Sequence, residues 1–157
     1  MPATSAGMTV VAIIRPLVTT DRTGWDPLWQ GYLEFYKAKV TPDVSDLTFA
    51  RLTGGREPMG GFVAVDDAGK LTGIVHWINH RSCWTAGDYC YLQDLFVARD
   101  LRGGGIGRKL IEAVYQKARS LGCSRVHWLT HETNADAMLL YDRIADRSGF
   151  VQYRKIF

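Results

Sequence analysis

The residues best placed to do chemistry in this chain are Arg102-Gly103-Gly104-Gly105-Ile106-Gly107-Arg108. An apolar run, Leu95-Phe96-Val97, leads into them through a short polar link, and a helix-patterned segment follows at once. The pattern reads as strand, glycine turn, helix. With little Cβ bulk in the turn, several backbone N–H groups converge at the helix start, where the helix dipole already favours negative charge. Binding of a phosphorylated ligand is the first expectation. Two common phosphate motifs do not fit. The nucleoside-triphosphate pattern GxxxxGK(S/T) fails because Gly107 is followed by Arg108 and no glycine stands five residues before it. The dinucleotide pattern GxGxxG fits at Gly103 and Gly105 but meets arginine at 108. Neither a kinase nor a dehydrogenase follows.

The elements that must hold this turn can be read from the spacing of apolar residues. Val10 to Ile14 is a β-branched run that suits a buried strand, closed by Pro16. Thr20 or Asp21 is a candidate cap, and a helix is expected after Pro27. Trp25, Leu28, Trp29, Tyr32, Leu33 and Tyr36 recur at helical spacing and form one aromatic face. Such a face either packs in the core or lines a substrate pocket or subunit contact, since Trp and Tyr stack on ammonium groups. Thr41-Pro42-Asp43 opens a second helix that Gly54-Gly55 ends. Phe62 to Val65 and Leu71 to Ile78 flank the turn Asp66-Asp67-Ala68-Gly69 as a hairpin, and a strand from Tyr89 to Val97 should pair back onto it. After the glycine turn, Leu110, Ile111, Val114, Ala118 and Leu121 trace a helical stripe stopped by Gly122. A strand from Arg125 to Thr130, a helix capped by Asn134 and a last strand from Phe150 to Ile156 complete the reading. The result is an α/β (α+β) fold with a mixed, mostly antiparallel sheet and a βαβ unit in its second half.

Composition bounds the function. At 157 residues, 46% of them hydrophobic and 22% charged, the chain is one ordinary domain, residues 1–157. Its formal charge of +3 is mild, and the basic residues are scattered, so a nucleic-acid partner is not expected. Cys83, Cys90 and Cys123 form no CxxC pair, which indicates neither a disulfide framework nor a zinc site. His76 and His80 are four apart in a strand, a spacing that builds no compact metal site, so no metal is expected. The start, MPATSAGM, lacks a basic leader region, residues 1–8 are expected to fray, and no run approaches the ~18 apolar residues of a membrane span. A soluble cytoplasmic protein with no membrane partner is expected.

The turn does match Arg-x-x-Gly-x-Gly, with Arg102, Gly105 and Gly107 in the signature places. With YLQDLFV before it, and Asn134-x-x-Ala137-x-x-x-Tyr141 and Ser148-Gly149-Phe150 after it, the chain resembles the GNAT superfamily of acetyl-CoA-dependent N-acetyltransferases. Within it, the chain is similar to the spermidine/spermine acetyltransferases and to fungal acetyltransferases acting on histones, polyamines and amino acids. The resemblance runs from about residue 60 to residue 155. It implies the GNAT fold, with helices on both faces of the sheet, acetyl-CoA as cosubstrate, and direct acetyl transfer to a primary amine.

Residue by residue, the resemblance implies that Gly103, Gly104, Gly105, Ile106, Gly107 and Arg108 present N–H groups to the CoA pyrophosphate. Arg102 and Arg108 add charge. Backbone groups of Leu95, Phe96 and Val97 are expected to bond the pantetheine arm, and one N–H there polarises the thioester carbonyl. Asn134 and Ala137 fall where the family contacts CoA. Tyr141 falls where the family keeps a tyrosine that protonates the departing thiolate. The base is less plain. An alkylammonium has a pKa of ~10.4 and must lose a proton before its nitrogen attacks. In the polyamine enzymes a glutamate often stands where this chain has Gln93, which takes no proton. Asp94 is adjacent but points to the opposite face of a regular strand, so only a bulge or a water chain brings it into play. Gln93, Trp29 and His131 are the expected substrate contacts. An amine-bearing small molecule is the favoured acceptor. A protein or histone lysine, a non-catalytic acyl-CoA sensor and a purely docking subunit remain open. A homodimer is expected, because an edge strand so near the chain end invites pairing.

Overall fold

The computed structural model describes residues 12–157. Val10 and Val11 of the first expected strand, and the fraying of residues 1–8, lie outside the described residues. Five strands form one sheet in the order β1 (Ile13–Pro16), β2 (Met59–Val65), β3 (Leu71–His80), β4 (Tyr89–Val97) and β5 (Arg125–His127). The first four are antiparallel neighbours and β5 runs parallel to β4, which is the mixed, mostly antiparallel sheet expected. Four helices flank it: α1 (Arg22–Phe35), α2 (Pro42–Gly54), α3 (Ile106–Ser120) and α4 (Ala135–Ile144).

The two faces are covered by different helices. Trp25, Leu28, Trp29 and Leu33 of α1 and Phe49 and Leu52 of α2 pack on Val63, Leu71 and Ile74. On the other face Ile106, Leu110, Ile111, Val114 and Ala118 of α3 pack on Ala64, Val75, Trp77 and Leu92. Burial of each large apolar side chain is worth roughly 1.5–3 kcal/mol, so these two stripes anchor both helices to the sheet. α1 comes especially close to β4, because a Cβ on Gly31 would stand 2.8 Å from the Phe96 ring. Any side chain there would push the helix away from the strand.

Several sequence expectations are corrected. α1 begins at Arg22 and carries Pro27 within it. The bond that proline forfeits is the one to the Thr23 carbonyl, and both residues are exposed, so water takes the place of the missing donor. Asp21 precedes α1 but makes no cap bond to it. Its carboxylate instead accepts the Val18 N–H at 2.8 Å and both ends of the Arg15 guanidinium at 2.8 Å. Asn134 likewise stands at the start of α4 without capping it, and donates through Nδ2 to Thr130 Oγ1 at 3.1 Å. β5 stops at His127 rather than Thr130, because β4 offers it partners only at Tyr89, Cys90 and Tyr91. The expected last strand is absent: residues 145–157 have no regular structure, and Phe150, Val151, Tyr153, Ile156 and Phe157 are exposed. A strand exists only with a ladder partner, and the short β5 gives this segment none. Between α3, β5, α4 and residues 145–152 lies a cleft of about 1110 Å³.

The Arg15–Asp21 pair ties β1 to the entry of α1. Arg15 holds the Asp21 carboxyl below its usual range, chiefly by hydrogen bonding and against the effect of burial. A depressed carboxylate stabilises the fold above its unfolded pKa of ~3.9 and stops doing so as pH falls through its folded value. Asp21→Asn should therefore cost about 1.5 kcal/mol in urea unfolding at pH 7, near the low end for charged hydrogen bonds because Arg15 is partly exposed. The difference from the parent should shrink steadily below about pH 4.

Candidate active site

The glycine turn takes the shape that its composition demands. Gly103 and Gly105 have φ of 85° and 87°, a left-handed conformation that side-chain-bearing residues rarely adopt, and the space where their Cβ atoms would stand is open. Gly105 is the residue from which α3 springs, and the first turn of the helix carries no acidic residue. The first-turn N–H groups, which have no partner within the helix, thus sit at the positive end of a 15-residue helix, with Gly103, Gly105 and Arg108 exposed beside them. Arg108 is exposed and bonds Glu112 one turn on at 3.0 Å. Arg102 donates through Nε to the Val97 carbonyl at 3.1 Å, and its guanidinium lies over Phe35 and Phe96 at 5.4 and 5.1 Å. It therefore clasps the end of α1 to the exit of β4.

Next to the turn the sheet is open. β4 and β5 pair from Tyr89/Arg125 to Tyr91/His127 and then part. Leu95, Phe96 and Val97 remain paired to β3 on one side, while their other side has no strand neighbour. Backbone donors and acceptors are left facing a gap that begins at the strand ladder and ends at the glycine turn.

Asp94 owes its position to a bulge. Trp77 opposes Leu92 and His76 opposes Asp94, so Gln93 is the extra residue between them. Gln93 is exposed, and the alternation of faces is reset after it. Asp94 consequently leaves the α3 face, where Leu92 packs, and turns under α1. Only 7% of it is exposed. Its Oδ2 lies 2.9 Å from His76 Nδ1, and His76 Nε2 lies 3.0 Å from the indole nitrogen of Trp25. Three tyrosines stand around the carboxylate. Burial first, and then the charge of Asp94, push the hydroxyls of Tyr32, Tyr36 and Tyr91 up. Tyr32 and Tyr36 are in ring contact at 4.9 Å, and Trp29 stacks beneath Tyr32 at 5.5 Å.

Tyr141 faces this group from α4. Burial, followed by the nearby Tyr36, pushes its hydroxyl up to about 12. Trp128 holds its ring edge-on at 5.4 Å. Ala137, one turn earlier, is half-buried.

The sequence matches the Acetyltransferase (GNAT) family over residues 25–145. It is 35% identical over 144 residues to a D-amino-acid N-acetyltransferase of Saccharomyces cerevisiae, covering 91% of this chain and 89% of that one. The chain belongs to the GNAT family. It is an N-acetyltransferase. A thialysine N-epsilon-acetyltransferase of Sus scrofa is 38% identical over 66 residues, 42% of this chain and 38% of that one. Among solved structures, a ribosomal-protein-alanine N-acetyltransferase from Brucella melitensis aligns with a TM-score of 0.79 at 25% identity, over 94% of this chain and all of that one. The aminoglycoside enzyme AAC(6')-Iy, solved with a CoA bisubstrate analogue, has the same fold, with a TM-score of 0.80 at 17% identity over 94% of this chain and 99% of that one.

Within this GNAT chain the sequence-derived residues fall into three places. The glycine turn and Leu95 to Val97 border the gap, Asp94 lies under α1, and Tyr141 lines the cleft between α3, β5 and α4. Trp29 is buried, with its indole N–H on Ser45 Oγ at 2.9 Å, so it supports Tyr32 from below. His131 is an exposed loop residue bonded to Thr133 at 2.7 Å, and Gln93 is the bulge itself. Sequence reasoning gave Tyr91 no role of its own and considered His76 only as a metal ligand. The signal available was Tyr91-x-x-Asp94 facing a tryptophan-rich helix, legible only once the bulge is known.

The turn offers a direct test. Gly105→Glu sets bulk and negative charge at the head of α3 and should weaken acetyl-CoA binding by about 100-fold or more in calorimetry. Gly105→Ala has room for its methyl group and should bind within a few-fold, while losing roughly 1–2 kcal/mol of stability to the left-handed φ.

Proposed function

We propose that this enzyme transfers the acetyl group of acetyl-CoA directly to the primary amine of a small, amino-acid-sized molecule. The observation that carries this is the placement of Asp94, one buried carboxylate framed by Tyr32, Tyr36 and Tyr91 beside the open strand gap. Such a site suits a single ammonium group flanked by aromatic surface. The acceptors printed in the names of the two relatives, D-amino acids and thialysine, are of that kind.

The chain fits acetyl-CoA. Gly103 to Arg108 offer the N–H groups for a pyrophosphate, the gap side of Leu95, Phe96 and Val97 offers partners for an amide-bearing arm, and Asn134 and Ala137, at the start of α4, are assigned to the cofactor as well. When bound, acetyl-CoA supplies an activated acetyl group and a thiolate leaving group. Asp94 draws in the acceptor's ammonium. At neutral pH about one such amine in a thousand is unprotonated, and Asp94 accepts the proton as the nitrogen commits to bonding. Tyr141, protonated at every ordinary pH, is the donor to the departing sulfur. The presence of Tyr141 speaks against a non-catalytic sensor.

We further assign a homodimer. The exposed Phe150, Val151, Tyr153, Ile156 and Phe157, together with the outer edge of β5, are surfaces that a second copy would cover. A cytoplasmic setting suits the three free cysteines, and the mild charge gives no reason to add a nucleic-acid or membrane partner. No helix among the described residues is long and apolar enough to cross a membrane.

Three measurements test these assignments. A thiol-release screen should find turnover on D-amino acids, thialysine or related small amines, and faster turnover on histone peptides than on any free amine would overturn the small-molecule reading. Tyr141→Phe should lower kcat by about 100-fold with acetyl-CoA affinity unchanged, and the parent enzyme should show no alkaline loss of kcat up to about pH 10, since its acid titrates near 12. Light scattering should give a dimer for the parent chain and a monomer when Val151 and Tyr153 are both replaced by aspartate.

A further inference from the structure

Asp94 is a buried carboxylate with an unusual keeper. Among the described residues no lysine or arginine pairs with it, and the basic side chain that meets it is His76. The state of that histidine is set from behind. An indole N–H donates and never accepts, so at 3.0 Å His76 Nε2 must be the acceptor of the Trp25 bond. The ring proton therefore resides on Nδ1 and is donated to Asp94 Oδ2 at 2.9 Å. His76 is 2% exposed and Trp25 is fully buried, and the imidazole is packed against Trp25 and Trp29 with ring centroids at 5.9 and 5.6 Å. Neither ring rotation nor water offers His76 another arrangement.

Two consequences follow. His76 cannot pass protons along this line, because Nδ1 already carries one and Nε2 faces a donor. It acts as a fixed, neutral donor. A neutral donor satisfies one carboxylate oxygen without cancelling the charge, whereas an arginine would satisfy it and neutralise it. Oδ1 is not used by His76, and Tyr32, Tyr36 and Tyr91 stand near enough to Asp94 for its charge to push their hydroxyls up.

We propose that His76, locked in one tautomer by Trp25, is a positioning residue that keeps Asp94 charged and aimed at the acceptor, making the site selective for amines that arrive as ammonium ions. This rests on the reading of Asp94 as the acceptor-facing carboxylate. The brace can be tested without any acceptor. In 15N-labelled enzyme, long-range proton–nitrogen correlation should show His76 with a protonated Nδ1 and a bare Nε2. A proton on Nε2 in the parent enzyme overturns the proposal outright. Trp25→Phe keeps an aromatic ring and removes the donor, and should free Nε2 to take up a proton, so that both ring nitrogens of His76 carry protons in a measurable fraction of the enzyme.

The second arm is kinetic, with thialysine and D-lysine as acceptors. His76→Leu should raise the acceptor KM about 10-fold or more while the acetyl-CoA KM stays within about twofold. His76→Asn places an amide N–H near the position of Nδ1 and should recover most of the acceptor KM. Equal losses in both KM values, or no rescue by asparagine, would reduce His76 to a packing residue. If the parent enzyme acetylates neither amine, the acceptor reading fails instead, and the tautomer measurement still decides whether the brace exists.

Discussion

One inserted residue governs the arrangement of this enzyme. A regular β4 would direct Asp94 to the face covered by α3, among Ile106, Leu110 and Ile111, where nothing is available to hydrogen-bond a carboxylate. An ionised group left unpartnered there is not sustainable, since even breaking a buried pair typically costs about 3–5 kcal/mol. The bulge at Gln93 turns Asp94 to the face where His76 already waits. Bulges also bend and twist the strand that carries them. β5 leaves β4 at Tyr91, two residues before the bulge, so the same insertion that places the carboxylate accompanies the opening of the gap. The buried carboxylate and the open strand edge, proposed as acceptor and cofactor sites, accompany one distortion.

The site is polarised along β4. At its end stand the helix start and the exposed Arg102 and Arg108, which favour an anion, and in its middle sits Asp94, which favours a cation. Between them the side chains are neutral: Phe96, Tyr32, Tyr36 and Tyr141. α1 comes near enough to supply this lining because Gly31 leaves room for the Phe96 ring, and Tyr32 follows it directly. A helix one side chain further out would leave Asp94 open to water, where its attraction for an ammonium falls steeply with the rise in dielectric.

Much of this was legible in the sequence, and the failures share a cause. The glycine turn, both hairpin strands, β4 and α3 were readable because each is determined by local pattern: a period of two, a period near 3.6, or a left-handed turn that needs glycine. Elements that depend on a distant partner were misread. Arg125 to Thr130 has the alternation of a strand but only three residues of ladder, and Phe150 to Ile156 has none. The Asp21 and Asn134 caps were misassigned because each side chain finds a better partner, Arg15 in one case and Thr130 in the other. A bulge or a water chain could be named as a condition for Asp94 to act, but not chosen or located, since it is a statement about what lies opposite Gln93 on β3. Without it, His76 read as an isolated histidine and Tyr91 as one more strand residue.

The support for Tyr141, the proposed acid, comes from a thinly packed part of the fold. α4 buries no residue fully, and it is held by the Trp128–Tyr141 ring contact and by Tyr115 Oη donating to the Ile144 carbonyl at 3.0 Å. Beyond Ile144 the chain runs exposed beside the cleft that Tyr141 lines. Segments with few buried apolar contacts open locally at low free energy, so an acid proposed on such a segment gains from anything that confines it. A second copy seated on the exposed apolar residues of that tail would confine α4 as well as bury the tail. The hydroxyl proposed as the acid and the surface proposed for assembly share one short stretch of chain, so a dimer formed there would couple association of two protomers to the positioning of Tyr141.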